Sequence, residues 1–303
     1  MSTIATHAGT DTGSAGLRVR PVRPGDAGAV ARIIYEAFAG IHDRHRFPRD
    51  FPTLEAAAGL ADAFIAHPAI WGVVATRDGR IVGSNFVDER GSVRGVGPIT
   101  VDPGVQERGI GRLLMEAAID RSTGAEGIRL LQDAFNSRSM ALYASLGFEI
   151  TDPVALMSGR PEIALQAGYD VRPLTRADLA EAAALSLAVH GYERTAELSD
   201  ALEARPGESF AAVRDGRLVG YATTLTFFAA AHAVAESEEA MSALIAGALA
   251  RTDAPGAFLL PLRQHELFRW ALAAGLRVVK PMNYMVVGHR REPAGAWIPS
   301  VLY

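Results

Sequence analysis

A mixed α/β fold, with a mixed sheet and built twice in tandem, is the architecture this sequence predicts, on three observations. Short motifs recur in the same order in both halves. Each half alternates β-rich runs with helical stripes. A glycine-spaced loop joins a strand end to a helix in the first half, and its counterpart in the second half lacks the glycines. The length of 303 residues suits two domains, and a composition of 49% hydrophobic and 21% charged residues lets each half bury a core.

Taken in order, residues 1–16 are rich in Ser, Thr, Gly and Ala and lack the basic and apolar regions of a signal peptide, so a disordered tail is expected. No run reaches about 18 apolar residues, and no membrane partner is expected. Val19-Arg20-Pro21 opens the first copy, followed by one or two helices. Arg77-Asp78-Gly79-Arg80 then reads as a hairpin turn between two β-rich runs. Next, Val101-Asp102-Pro103-Gly104-Val105-Gln106-Glu107-Arg108-Gly109-Ile110-Gly111-Arg112 reads as a strand end entering a loop that opens a helix.

That helix shows in Ile110, Leu113, Leu114, Ala117 and Ala118, which form one stripe, so its first turn begins near Gly109. Backbone N–H groups at a helix start, the positive end of its dipole and two glycines together suit a phosphate. Arg108 and Arg112 add charge there. The loop is neither the dinucleotide fingerprint, since Leu114 stands where a third glycine belongs, nor a P-loop. Two glycines at a helix start are also ordinary turn chemistry. Downstream, Arg129 to Gln132 reads as a strand, and a helix follows with Asn136 as N-cap and Gly147 just past its end. On it, Asn136, Met140 and Tyr143 form a polar edge, and Ser139, Leu142 and Leu146 a core edge. Residues 157–168, with Gly and Pro, read as the connection to the second copy.

The second copy repeats the first with shorter connections. Val171-Arg172-Pro173 follows its counterpart by 152 residues, and the Arg214-Asp215-Gly216-Arg217 turn follows its own by 137. The stripe Met241, Leu244, Ile245 and Ala248 lies 131 residues after Ile110, Leu113, Leu114 and Ala117, while Gly275 and Pro281 lie 128 after Gly147 and Pro153. The chemistry-bearing positions differ: Ser237, Glu239, Ala240 and Ser242 stand for Gln106, Arg108, Gly109 and Gly111. Glu238 and Glu239 make that helix start repel a pyrophosphate. Ala271, beside Trp270, stands for Tyr143. The second domain is therefore expected to serve in packing, in shaping a site of the first domain or in homodimer contacts.

Composition narrows the partners. A formal net charge of −4 argues against nucleic acid. The absence of cysteine excludes disulfides, a thiolate nucleophile and thiolate metal ligands, and fits a cytoplasmic protein.

The loop from Gln106 to Gly111, with Val-x-Pro before it, resembles the Gln/Arg-x-x-Gly-x-Gly/Ala segment of the GCN5-related N-acetyltransferases (GNAT). Residues 136–148 resemble that family's N-x-x-(A/S)-x-x-L-Y-x-x-x-G-F segment. The resemblance implies two tandem GNAT-like domains, a catalytic one over 17–160 and a degenerate one over 169–289, with a docking tail over 290–303. It implies transfer of an acetyl group from acetyl-coenzyme A to a primary amine of a small molecule, in a ternary complex, at one active site and without a metal. Ile99, Thr100 and Val101 would hold the pantetheine arm, with Gln106, Arg108, Gly109, Ile110, Gly111 and Arg112 around the pyrophosphate. Tyr143 would protonate the leaving thiolate, or else cap a sheet edge, and Asn136 would bond the cofactor arm, cap the helix, or both.

Asp133 ranks first as general base, ahead of Asp88 and Glu89, which read rather as surface charges; a water relay with no assigned base is an alternative. His42, His45 and Phe47, in a stretch mixing His, Arg, Asp and Phe, would line an acceptor pocket or sit in a solvated loop. His42 and His45 have no third ligand in sight for a metal. The apolar C-terminus, with Trp297, Ile298, Val301, Leu302 and Tyr303, is expected to dock on the protein, by strand completion or across the domain interface. Two other readings stay open, a noncatalytic acyl-coenzyme A sensor or scaffold and a mycothiol-synthase-like acetyltransferase.

Overall fold

The computed structural model describes residues 16–105, 109–163 and 166–302. Its elements, in chain order, are β1 (Leu17–Pro21), α1 (Ala27–His45), α2 (Leu54–Ala66), β2 (Ile70–Arg77), β3 (Arg80–Asp88), β4 (Val93–Val96), β5 (Thr100–Val101), α3 (Ile110–Arg121), β6 (Gly127–Asp133), α4 (Ser137–Ser145) and β7 (Glu149–Gly159). The order then recurs as β8 (Asp170–Pro173), α5 (Leu179–His190), α6 (Thr195–Ala204), β9 (Phe210–Arg214), β10 (Arg217–Ala222), β11 (Ala233–Ala235), α7 (Glu238–Leu249), β12 (Gly256–Pro261), α8 (His265–Ala273) and β13 (Arg277–Gly288), closed by β14 (Ala296–Ile298). Among the described residues, one compact unit runs to Val87 and takes in Pro98–Thr123, and the other comprises Asp88–Gly97 and everything from Gly124 onward.

In the first unit, β1 pairs antiparallel with β2, and β5 pairs with β3 through Gly83↔Val101 and Ser84↔Thr100. At the β2–β3 turn, Asp78 and Gly79 both have positive φ, the backbone a two-residue hairpin needs to match strand twist. α3 buries Ile110 and Leu114 against Val73, Val82 and Leu17, while α1 and α2 pack Val30, Ile34, Ala57 and Ala61 around Phe86.

The second unit shows how the repeats are joined. β6 pairs on one side with β4, in parallel, and on the other with β13, the last long strand of the second repeat. Reciprocally, β7 of the first repeat pairs with β12 of the second, and β7 and β13 pair with each other. The registers obey the sequence repeat: Met282↔Asp133 in one pairing corresponds, 128 residues apart, to Val154↔Pro261 in the other, and Met282 lies directly opposite Val154. The repeats have exchanged their final strands about a pseudo-twofold axis through that pair. Met157–Gly159, expected to begin the connection, are strand instead: Met157 is wholly buried opposite Phe258. Burial on both faces overrode the glycine signal.

A second sheet runs β14-β11-β10-β9-β8, all antiparallel. α7 lies on it and is buried from Ala240 to Leu249, which its all-round apolar sequence there demands. The C-terminal segment completes this sheet, with Val234↔Trp297 and Trp297 3% exposed. Beyond it, the Leu302 carbonyl rests on Gly95 of β4, where any Cβ would collide with it. The docking expected of the tail thus takes the form of strand completion. Tyr303 and residues 1–15 lie outside the described residues. Among the described residues, no helix is long and apolar enough to cross a membrane.

Candidate active site

The first unit holds the glycine loop. Asp102 closes the turn after β5, its Oδ1 accepting from Gly104 N at 2.8 Å while its own carbonyl accepts from Val105 N at 2.9 Å. Gly109 is the N-cap of α3, at φ 118° and ψ −24°, a backbone that a side chain would strain. It offers no side-chain acceptor to the first turn, and that turn carries no acidic residue. Within α3 and its N-cap, no side chain offsets the positive end of the helix. Gln106 and Arg108 lie outside the described residues. Ile110 has its side chain wholly in the core, so its contribution to an anion site is its backbone. Gly111 is the second residue of α3, and Arg112 is part-exposed, 3.6 Å from Glu116 one turn on. Thr100 is buried, its Oγ1 3.0 Å from Ser84 Oγ, and Ile99 and Val101 are half-buried against the α3 core.

The residues proposed for the acceptor sit at the end of α1 in the same unit. α1 runs through His45 and ends at Arg46, which adopts a left-handed backbone, so most of the expected loop is helix. His42 is fully buried: its Nδ1 donates to the Phe38 carbonyl at 2.8 Å and its Nε2 lies 3.4 Å from Asp50. His45 is exposed, and Phe47 is half-buried with its N–H donating to the His42 carbonyl. Phe38 packs edge-on to Phe51 with ring centres 5.4 Å apart.

The second unit holds the other candidates. The parallel pairing of β4 with β6 ends at Gly95↔Arg129, while β6 continues to Asp133 at its tip. Asn136 caps α4, its Oδ1 accepting from Ser139 N at 3.3 Å, and its N–H donates to the Asp133 carbonyl at 2.8 Å. Tyr143 is 6% exposed and the one buried residue of α4; the intended core edge, Ser139, Leu142 and Leu146, is only half-buried. Its ring packs near Phe148, which the chain brings back after the Gly147 turn. Burial raises the phenol's pKa well above its ordinary value, and the charge of Asp133 adds to the rise.

Asp133 forms an ion pair, Oδ1 to Lys280 Nζ at 2.7 Å. Asn283 Nδ2 donates to Gln132 Oε1 at 2.9 Å. Lys280 and Asn283 come from β13 in the second repeat and were not among the expected residues. The one hint in sequence is a lysine within an apolar strand. Asp88, expected as a surface charge, is 6% exposed and chelated by Arg90, which also reaches Asp200 at 2.9 Å. With Tyr192, Arg194 and Glu197, Asp88 and Arg90 line a small pocket in the second unit. Burial raises the Glu197 pKa, opposed by Arg194 and Arg90.

At the second repeat's helix start, Ser237 caps α7 by accepting from Ala240 N at 3.1 Å. Glu238 accepts from Leu267 N at 2.6 Å, and Glu239 lies 3.5 Å from Arg214.

Residues 68–150 match the model of the acetyltransferase (GNAT) domain. A 90-residue segment is 34% identical to mycothiol acetyltransferase of Beutenbergia cavernae, covering 29% of this chain and 29% of that protein. By structure, a Pyrococcus horikoshii protein classed as an acetyltransferase matches at TM-score 0.72 and 16% identity, over 96% of this chain and 98% of that one. A tandem GNAT protein from the clavulanic acid biosynthesis pathway matches at TM-score 0.58 and 17% identity, over 94% and 99%. Residues 68–150 are thus similar to a GNAT acetyltransferase domain, and the chain as a whole has the fold of tandem GNAT proteins.

Proposed function

We propose that the protein transfers an acetyl group from acetyl-coenzyme A to a primary amine of a small molecule, at one site served by the first repeat's loop and helix. The observation that carries this reading is the glycine-capped start of α3 inside the matched domain, with no acidic residue in its first turn, set against the self-capped, acidic start of α7. The thioester of the cofactor supplies an activated acetyl group and a thiolate leaving group. Backbone N–H groups from Gly109 onward, with Arg112, would hold the pyrophosphate. Tyr143 keeps its proton throughout the physiological range, so its hydroxyl is a standing donor for the departing sulfur. Asp133 is already tied to Lys280, which favours removal of the amine proton through water.

Mass spectrometry of products formed from acetyl-coenzyme A and a panel of amines tests the proposal. The panel should include the acceptor of the mycothiol acetyltransferase, given the 34% identity. One N-acetylated product is the expected result. Cofactor binding without product from any acceptor would favour the sensor reading, and calorimetry giving two equivalent coenzyme A sites per chain would overturn the single site.

A further inference from the structure

We propose that Lys280 and Asn283, carried on β13 by the second repeat, are positioning residues for the reacting edge of the first. This inference rests on the acetyl-transfer reading and deepens it. The Lys280 side chain has no exposure, and an ammonium taken out of water requires a carboxylate partner. That partner is Asp133, the last residue of β6; Nζ also lies 5.6 Å from the centre of the Phe228 ring. Asp133 in turn receives the N–H of Asn136, so the ion pair fixes the point at which β6 turns into α4.

Asn283 works through a second chain of contacts. Its Nδ2 holds Gln132 Oε1, and Gln132 Nε2 donates to the Asn136 carbonyl at 2.9 Å and to Ser139 Oγ at 3.0 Å. The first turn of α4, the helix that carries Tyr143, is therefore tied to a strand 151 residues away from its anchor.

The pseudo-twofold axis supplies an internal control. Asn283↔Gln132 and Met282↔Asp133 on one side correspond to Ala155↔Leu260 and Val154↔Pro261 on the other. The same strand pairing is thus achieved with apolar residues where no reacting helix needs holding. The position equivalent to Lys280 is Asp152, which pairs with Arg263 rather than with a strand-tip carboxylate. The polar pairs at Gln132 and Asp133 are therefore additions to the packing rather than requirements of it.

The test uses the full chain with Asn283→Ala, Lys280→Met and Lys280→Arg. Lys280→Met should lower kcat by about 10²-fold, as misplacing a reacting group does, with coenzyme A affinity held within about two-fold of the parent. Lys280→Arg should recover most of that loss. Because Lys280→Met leaves a buried carboxylate and can unfold the protein, Asn283→Ala is the milder arm. Hydrogen exchange in Asn283→Ala should quicken at the amides of 139–143 and stay unchanged in α7. A kcat within about two-fold of the parent together with unchanged α4 exchange would overturn the inference. If the parent forms no acetylated product, the functional reading fails, and α4 exchange alone then decides the positioning role.

Discussion

The starts of α3 and α7 occupy equivalent places in the two repeats and are finished in opposite ways. α3 begins on a positive-φ glycine with no side-chain cap and no acidic residue in its first turn. α7 begins on Ser237, which satisfies Ala240 N–H, and continues into Glu238 and Glu239. Their buried stripes are conserved in kind: Ile110 and Leu114 in one, Met241, Leu244, Ile245 and Ala248 in the other. The comparison teaches that burial holds the fold, while the helix terminus, which the fold does not need, is free to be a ligand site or to cap itself.

The largest effect that would break this comparison is on cofactor binding. Gly109→Glu should abolish it, since a side chain is strained at that φ and a carboxylate opposes a pyrophosphate at the helix start. Calorimetric titration with coenzyme A reads the result. The sequence alignment suggests Ala240→Glu as the matched control, but Ala240 is fully buried and a glutamate there would disrupt the core. Glu239, half-exposed, is the proper site: Glu239→Gln should leave binding unchanged.

Next in size is Tyr143→Phe, which should cut turnover by ~10²–10⁴-fold while leaving coenzyme A affinity near the parent value. Steady-state kinetics under conditions where chemistry limits the rate provide the check, and an unchanged kcat would return Tyr143 to packing against Phe148. At Trp297 and Ser237 the expected effects are on stability alone. Trp297→Ala should destabilise the fold by about 3–5 kcal/mol, because the ring is buried against Tyr284 and His190. Denaturant unfolding measures this loss. Smallest is Ser237→Ala, which removes the α7 cap at a cost of about 1 kcal/mol with no change in coenzyme A binding. A change in binding from Ser237→Ala would show that the second helix start is a ligand site after all.

Much of the local structure around the candidate site was legible because its signals are local. The αL backbone at Asp78 and Gly79, and again at Asp215 and Gly216, follows from Asp-Gly turn chemistry within four residues. The Asn136 cap and the Gly147 turn span a single helix. Asp88 was misjudged because its burial depends on Arg90, Asp200 and Glu197 arriving together, and only Arg90 is near it in sequence. His42 looked equally available to solvent or substrate, since nothing in its spacing reports that its ring is buried between the Phe38 carbonyl and Asp50.

The sequence by itself determined the repeated order of elements, the helix starts and the hairpin turns, because periodicity, caps and positive-φ residues act over a few positions. Only the tertiary structure decided which strand β6 takes as its neighbour. The buried runs of β7 and β13 suit either repeat's sheet, and the choice between closing each repeat alone and exchanging strands rests on the fit of two buried faces. Those interactions join residues more than a hundred positions apart, where no local propensity reaches.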